Sequence, residues 1–137
     1  MRGVGQPDRM GCRKRTPEDS SVIVKICGIT KPNDATEALR AGADWIGLNF
    51  VGGPRRIDTA EAERILAQIG DPASVVALLK WESEDRSPPE LDWVLERGIR
   101  RIQAYGTPPP SVQERLRNHA CTMILVHHVA AGRPLCA

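Results

Sequence analysis

A chain of 137 residues has room for one domain, and 41% hydrophobic with 26% charged residues is the composition of a globular protein with a buried core. A net charge of +2 is too small to drive binding to nucleic acid or an acidic membrane surface, and one Phe with one Tyr makes no base-stacking platform. No run of about 18 apolar residues is present, so no membrane span is expected.

Residues 1–21 carry five Arg or Lys, three Gly and two Pro without periodicity, and read as a disordered basic leader. They lack the apolar stretch of a signal peptide, so a reducing cytoplasm with free thiols is the expected setting. The cysteines are Cys12, Cys27, Cys121 and Cys136; none forms a CxxC pair, and zinc is not expected.

From Val22 onward, short apolar runs alternate with helical patterns. Val22 to Cys27 reads as a strand, then a helix capped by Asn33 or Asp34, with Ala35, Ala38 and Leu39 on its apolar stripe and Gly42 as its stop. Trp45 to Phe50 is a second strand; Thr59 caps a second helix whose stripe is Ala62, Ile65, Leu66 and Ile69, with Gly70 after it. Ser74 to Leu79, Arg100 to Ala104 and Thr122 to His128 are further strands, separated by helices over Pro88 to Arg97 and Pro110 to Ala120. This alternation predicts a parallel sheet of right-handed βαβ units, with residues 130–137 as an irregular tail.

The strand period places Ile23, Lys25 and Cys27 on one face and the aliphatic Val22, Val24 and Ile26 on the other. The aliphatic face is expected to pack on helices, which turns Lys25 and Cys27 inward with the lysine beneath the thiol. A buried ammonium requires a carboxylate or hydrogen-bond partner, and it stands where it can tune Cys27. Successive strand residues point to opposite faces, so the adjacent His127 and His128 make a poor metal pair. Trp45, Trp81 and Trp93 are read as packing residues.

The string Lys25-Ile-Cys-Gly-Ile-Thr30, the stretch Gly42-Ala-Asp-Trp-Ile-Gly-Leu-Asn-Phe50 and the turn Pro54-Arg-Arg-Ile57 together resemble phosphoribosylanthranilate isomerase. Ile102-Gln-Ala-Tyr-Gly106 sits where that family has Q-L-H-G after an apolar residue. The resemblance implies a (βα)8 barrel, here a partial one of about five parallel strands with four outer helices. It also implies an Amadori rearrangement in tryptophan biosynthesis, without metal or organic cofactor. By the same resemblance Cys27 is the general base, Arg55 steadies the anthranilate end, Gln103 faces the active site and Lys25 supports it.

The chain departs from the family at Gly53, where a serine is usual, at Tyr105, where the histidine of Q-L-H-G stands, and at His127, in the place of a lysine. A complete barrel takes at least about 200 residues. The family's general acid, at the end of its sixth strand, and its phosphate-holding turns, after the seventh and eighth, would lie beyond residue 137. The expectation is therefore an N-terminal part, residues 22–129, weakly active or inactive alone, with a sugar-phosphate substrate. The alternative is a non-catalytic half-barrel module. Its open edges would let it self-associate or complement a separate C-terminal half, and its inward face, Leu48 or its neighbours included, would be uncovered.

Overall fold

Strands and helices alternate because every apolar run is of strand length and every amphipathic stretch returns the chain to the same end of the sheet. The computed structural model describes residues 22–132; the expected leader and the end of the tail lie outside them. Five strands form one sheet: β1 (Lys25–Cys27), β2 (Trp45–Asn49), β3 (Val75–Lys80), β4 (Arg101–Tyr105) and β5 (Thr122–Leu125). Their spatial order is their chain order, and each pairs parallel with the next. Parallel neighbours need a crossover, supplied in turn by α1 (Pro32–Arg40), α2 (Thr59–Ile69), α3 (Leu91–Glu96) and α4 (Pro110–Asn118). The expected α/β architecture of five parallel strands and four outer helices is the one adopted.

The helix starts differ from the sequence expectation. α1 begins at Pro32, one residue before Asn33, with Lys31 extended at the cap and no side-chain cap bond. Proline suits the first helical position because its fixed φ is already helical and its missing N–H would have had no partner there. Asp58, rather than Thr59, caps α2: its carboxylate accepts from Glu61 N at 2.8 Å while Glu61 accepts from Asp58 N at 2.9 Å, a reciprocal capping box. Gly70 ends that helix in the left-handed conformation, φ +74°. β1 and β5 are shorter than their apolar runs, since each has a strand partner on one side only.

The helix-facing side of the sheet is the core. Ile46 and Leu48 of β2, Val75, Ala77 and Leu79 of β3, and Ile102 and Ala104 of β4 are fully buried against Ala35, Ala62, Ile65, Val94 and Leu116 of the helices. This corrects the expectation for Leu48: it faces the helices at 0% exposure, because register opposite β1 puts Gly47, not Leu48, on the other face. That other, concave face carries Lys25, Cys27, Gly47, Asn49, Gln103 and Tyr105. Among the described residues β1 and β5 each have one strand partner, and Ile26 is 43% and Leu125 51% exposed.

Outside the sheet, Glu63 of α2 accepts from Arg97 Nε at 2.7 Å and from Trp93 Nε1 at 3.2 Å, tying α2 to α3. The hydrogen bond from Arg97 holds the Glu63 carboxyl below its ordinary range. A carboxyl lowered by folding stabilises above its unfolded pKa and loses that contribution as pH falls through the folded one. Acidification through the carboxylate range is thus expected to loosen the α2–α3 contact in wild type and not in Glu63→Gln, read by Trp93 fluorescence. In urea, Leu79→Ala is expected to cost about 2–5 kcal/mol and Asp58→Ala about 1 kcal/mol.

Candidate active site at the strand C-termini

The site begins where β1 stops. Gly28 N and Ile29 N both donate to the Gly47 carbonyl, at 3.0 and 3.2 Å, so the chain turns away immediately after Cys27. Gly28 makes that turn with φ +80°, a conformation that favours glycine. A Cβ there would also lie 2.9 Å from Arg55 Cδ and 3.2 Å from its Nε, so the Arg55 side chain lies directly over the tip of β1.

Gly47 is the register partner of Cys27, and a Cβ on it would stand 2.7 Å from Cys27 Sγ. The thiol therefore fills the space that the missing side chain leaves. Cys27 is nonetheless exposed, so its sulfur is held from the side and open above.

Beneath the thiol, Lys25 meets the need of its ammonium by donating to Gln103 Oε1 at 2.9 Å. Gln103 in turn donates from Nε2 to the Tyr105 hydroxyl at 3.1 Å. The bond between Lys25 and Gln103 spans from β1 to β4, over the two strands between them. Cys27, Lys25, Gln103 and Arg55 thus gather at one end of one face.

The two adjacent arginines separate. Arg56 donates from Nε to the Phe50 carbonyl at 3.2 Å and pairs with Glu90 at 3.4 Å, beside a cleft of about 550 Å³ that Lys80 and Arg86 also line. Arg55 is left over Gly28. Asn49, not among the residues expected from sequence, shapes the loop that carries both: its Oδ1 accepts from Val51 N at 2.9 Å and its Nδ2 donates to the Gly52 carbonyl at 2.8 Å. An Asn at the end of a strand, followed by a Gly-Gly-Pro run, was the available signal.

The histidine brought to this face is His128, whose ring centroid lies 6.4 Å from that of Tyr105, rather than His127. At the opposite end of the sheet Arg101 stacks on Trp45 at 4.5 Å and donates to the Ala73 carbonyl, a structural contact. Cys121 packs against the helix-side core, and burial pushes its thiol pKa up. Among the described residues no cluster of three or more His, Cys, Asp or Glu could hold a metal, and no helix is long and apolar enough to cross a membrane.

Comparison with known proteins gives one family. The chain is 33% identical over 121 residues to an N-(5'-phosphoribosyl)anthranilate isomerase of Chlamydia trachomatis, covering 83% of this chain and 54% of that one. It is 52% identical over 63 residues to that of Neisseria meningitidis, 45% of this chain and 30% of the relative. Among solved structures, a phosphoribosyl anthranilate isomerase from Thermus thermophilus superposes with a TM-score of 0.63 at 28% identity, over 82% of this chain and 55% of that one. Another, in complex with reduced 1-(o-carboxyphenylamino)-1-deoxyribulose 5-phosphate, superposes at 0.60 with 27% identity, over 76% of this chain and 52% of that one. No family profile matches. The chain spans between 30 and 54% of the length of these curated relatives.

Because the Cys27 sulfur occupies the place of a Gly47 side chain, Gly47→Ala is expected to cost about 1–3 kcal/mol in urea as thiol and methyl collide. Gly52, with open space around its Cβ position and no left-handed φ, is the control: Gly52→Ala is expected to be neutral in the same titration.

Proposed function

On a chain similar in sequence and fold to the phosphoribosylanthranilate isomerases, we propose that the concave face receives N-(5-phosphoribosyl)anthranilate and carries the base side of its Amadori rearrangement. With the ribose opened to a protonated Schiff base, the Cys27 thiolate removes the C2 proton. The C2–H electrons become the C1–C2 double bond, and the iminium nitrogen receives the displaced pair. Protonation of the resulting enol at C1, with release of its C2 hydroxyl proton to solvent, gives 1-(2-carboxyphenylamino)-1-deoxyribulose 5-phosphate. No electrons leave the substrate.

The observation that carries the reading is the Cys27 thiol, exposed at a strand C-terminus, seated over Gly47 with the Arg55 side chain across Gly28 beside it. A positioned base at that end of a parallel sheet is where α/β barrels place their chemistry. Arg55 is the natural partner of the anthranilate carboxylate, its planar fork matching two oxygens. Lys25 and Gln103 form the floor. The carboxylic acid and phosphate-holding turns implied by the resemblance belong to later strands and lie outside the described residues. A cytoplasmic setting belongs to the same proposal.

The bare edges favour a second reading, a half-barrel module that pairs β1 and β5 with strands of another copy or of a separate C-terminal half. Ile26 and Leu125 are 43% and 51% exposed there. One of the solved relatives is a monomer generated from a dimeric phosphoribosylanthranilate isomerase of Thermotoga maritima, so that enzyme's natural form is a dimer. Light scattering tests this second reading: a monodisperse dimer supports it, and insoluble or molten protein contradicts it.

Turnover of N-(5-phosphoribosyl)anthranilate, followed by loss of anthranilate fluorescence, tests the first reading. Cys27→Ala is expected to lower the rate by about 10²–10⁴-fold, the usual span for a general base. Arg55→Ala is expected chiefly to raise KM. A Cys27→Ala chain that turns over at the wild-type rate would remove Cys27 from the chemistry.

A further inference from the structure

The hydrogen-bond row across the concave face has a direction, and that direction has a chemical consequence. A lysine ammonium has three donors and no acceptor, so the Gln103 atom facing Lys25 at 2.9 Å must be the carbonyl oxygen. The amide nitrogen is therefore the atom 3.1 Å from the Tyr105 hydroxyl, and an amide nitrogen only donates. The phenol oxygen accepts, and its own proton is left for a third group. Among the described residues no acceptor for it is found; His128, its ring neighbour, makes no hydrogen bond to it.

The row also has two levels. Lys25 and Gln103 lie two residues before the ends of β1 and β4, and Cys27 and Tyr105 are the last residues of those strands on the same face. The lower level bonds to itself. The upper level presents a thiol on one side and a half-buried phenol on the other, both facing the open end of the sheet.

We propose that Tyr105 is a substrate-contacting hydrogen-bond donor, giving its hydroxyl proton to an oxygen of the sugar moiety held between it and Cys27. The assignment rests on the functional reading above. Arg55, over the tip of β1, takes the carboxylate end, so the β4 side faces the polyol chain. A neutral phenol suits a neutral hydroxyl or carbonyl oxygen. An imidazole, which the resemblance places here, can present either a donor or an acceptor; the phenol, whose oxygen already accepts from Gln103, has its O–H free to donate.

Tyr105 is the chain's single tyrosine, so its Raman Fermi doublet reports its hydrogen bonding alone. Reduced 1-(o-carboxyphenylamino)-1-deoxyribulose 5-phosphate is the probe, titrated by calorimetry into the full chain and into Tyr105→Phe and Tyr105→His. The expected result is a doublet shift toward the donor pattern on binding, a three- to ten-fold (about one hydrogen bond) loss of affinity in Tyr105→Phe, and recovery to within about two-fold in Tyr105→His, which restores a donor. Unchanged affinity in Tyr105→Phe with an unmoved doublet in wild type would overturn the Tyr105 assignment and leave the functional reading standing. A wild-type chain that does not bind the probe would overturn both. The doublet is read on wild type, so the test holds even where a variant folds poorly.

Discussion

The absence of one methyl group, on Gly47, is the constraint on which the site depends. Its Cβ would lie 2.7 Å from Cys27 Sγ, and its carbonyl takes the N–H groups of both Gly28 and Ile29. One residue therefore makes room for the thiol, ends β1 directly after it, and turns the chain toward α1. The left-handed Gly28 that results is small enough for the Arg55 side chain to cross above it. Sulfur, turn and guanidinium are arranged by two glycines, Gly28 next to Cys27 in the chain and Gly47 opposite Cys27 on β2. Any side chain at either position would displace a group that the proposed chemistry uses.

The second layer of organisation is the floor beneath that thiol. β1 has three residues and one strand partner, so little backbone pairing holds it. Val24 N donates to Asp44 at 2.6 Å on one side, and Lys25 reaches Gln103 on the far side of β3. The second bond crosses the concave face and gives β1 a tie to β4 that the sheet alone does not provide. A charged donor to a neutral acceptor is among the stronger single hydrogen bonds, about 1.5–3 kcal/mol. It also satisfies a half-buried cation that would otherwise be costly.

The alternation of strands and helices was legible because apolar runs of strand length, such as Val75 to Leu79, stand between stripes of helical period, such as Ala62, Ile65 and Leu66. So was the pairing of Lys25 with Cys27 on one face, since β1 keeps strict alternation. What could not be read was decided by partners far away in the chain. Asp58 became a cap because Glu61 could answer it, and Pro32 opened α1 because its geometry was already helical. Leu48 looked available to the concave face until the register fixed Gly47 opposite Cys27. The separate fates of Arg55 and Arg56 depended on Glu90, thirty-four residues beyond Arg56. The direction of the row from Lys25 to Tyr105 required knowing that Gln103, two strands over from Gly47, lies within reach.

On the proposed function, the Cys27 thiol faces the space that would receive the ligand. Alkylation of the intact chain with iodoacetamide, mapped by peptide mass, measures it directly. Cys27 is expected to label fast and Cys121 slowly, with Cys27 alone protected by reduced 1-(o-carboxyphenylamino)-1-deoxyribulose 5-phosphate. Equal labelling at Cys27 with and without saturating ligand would contradict it.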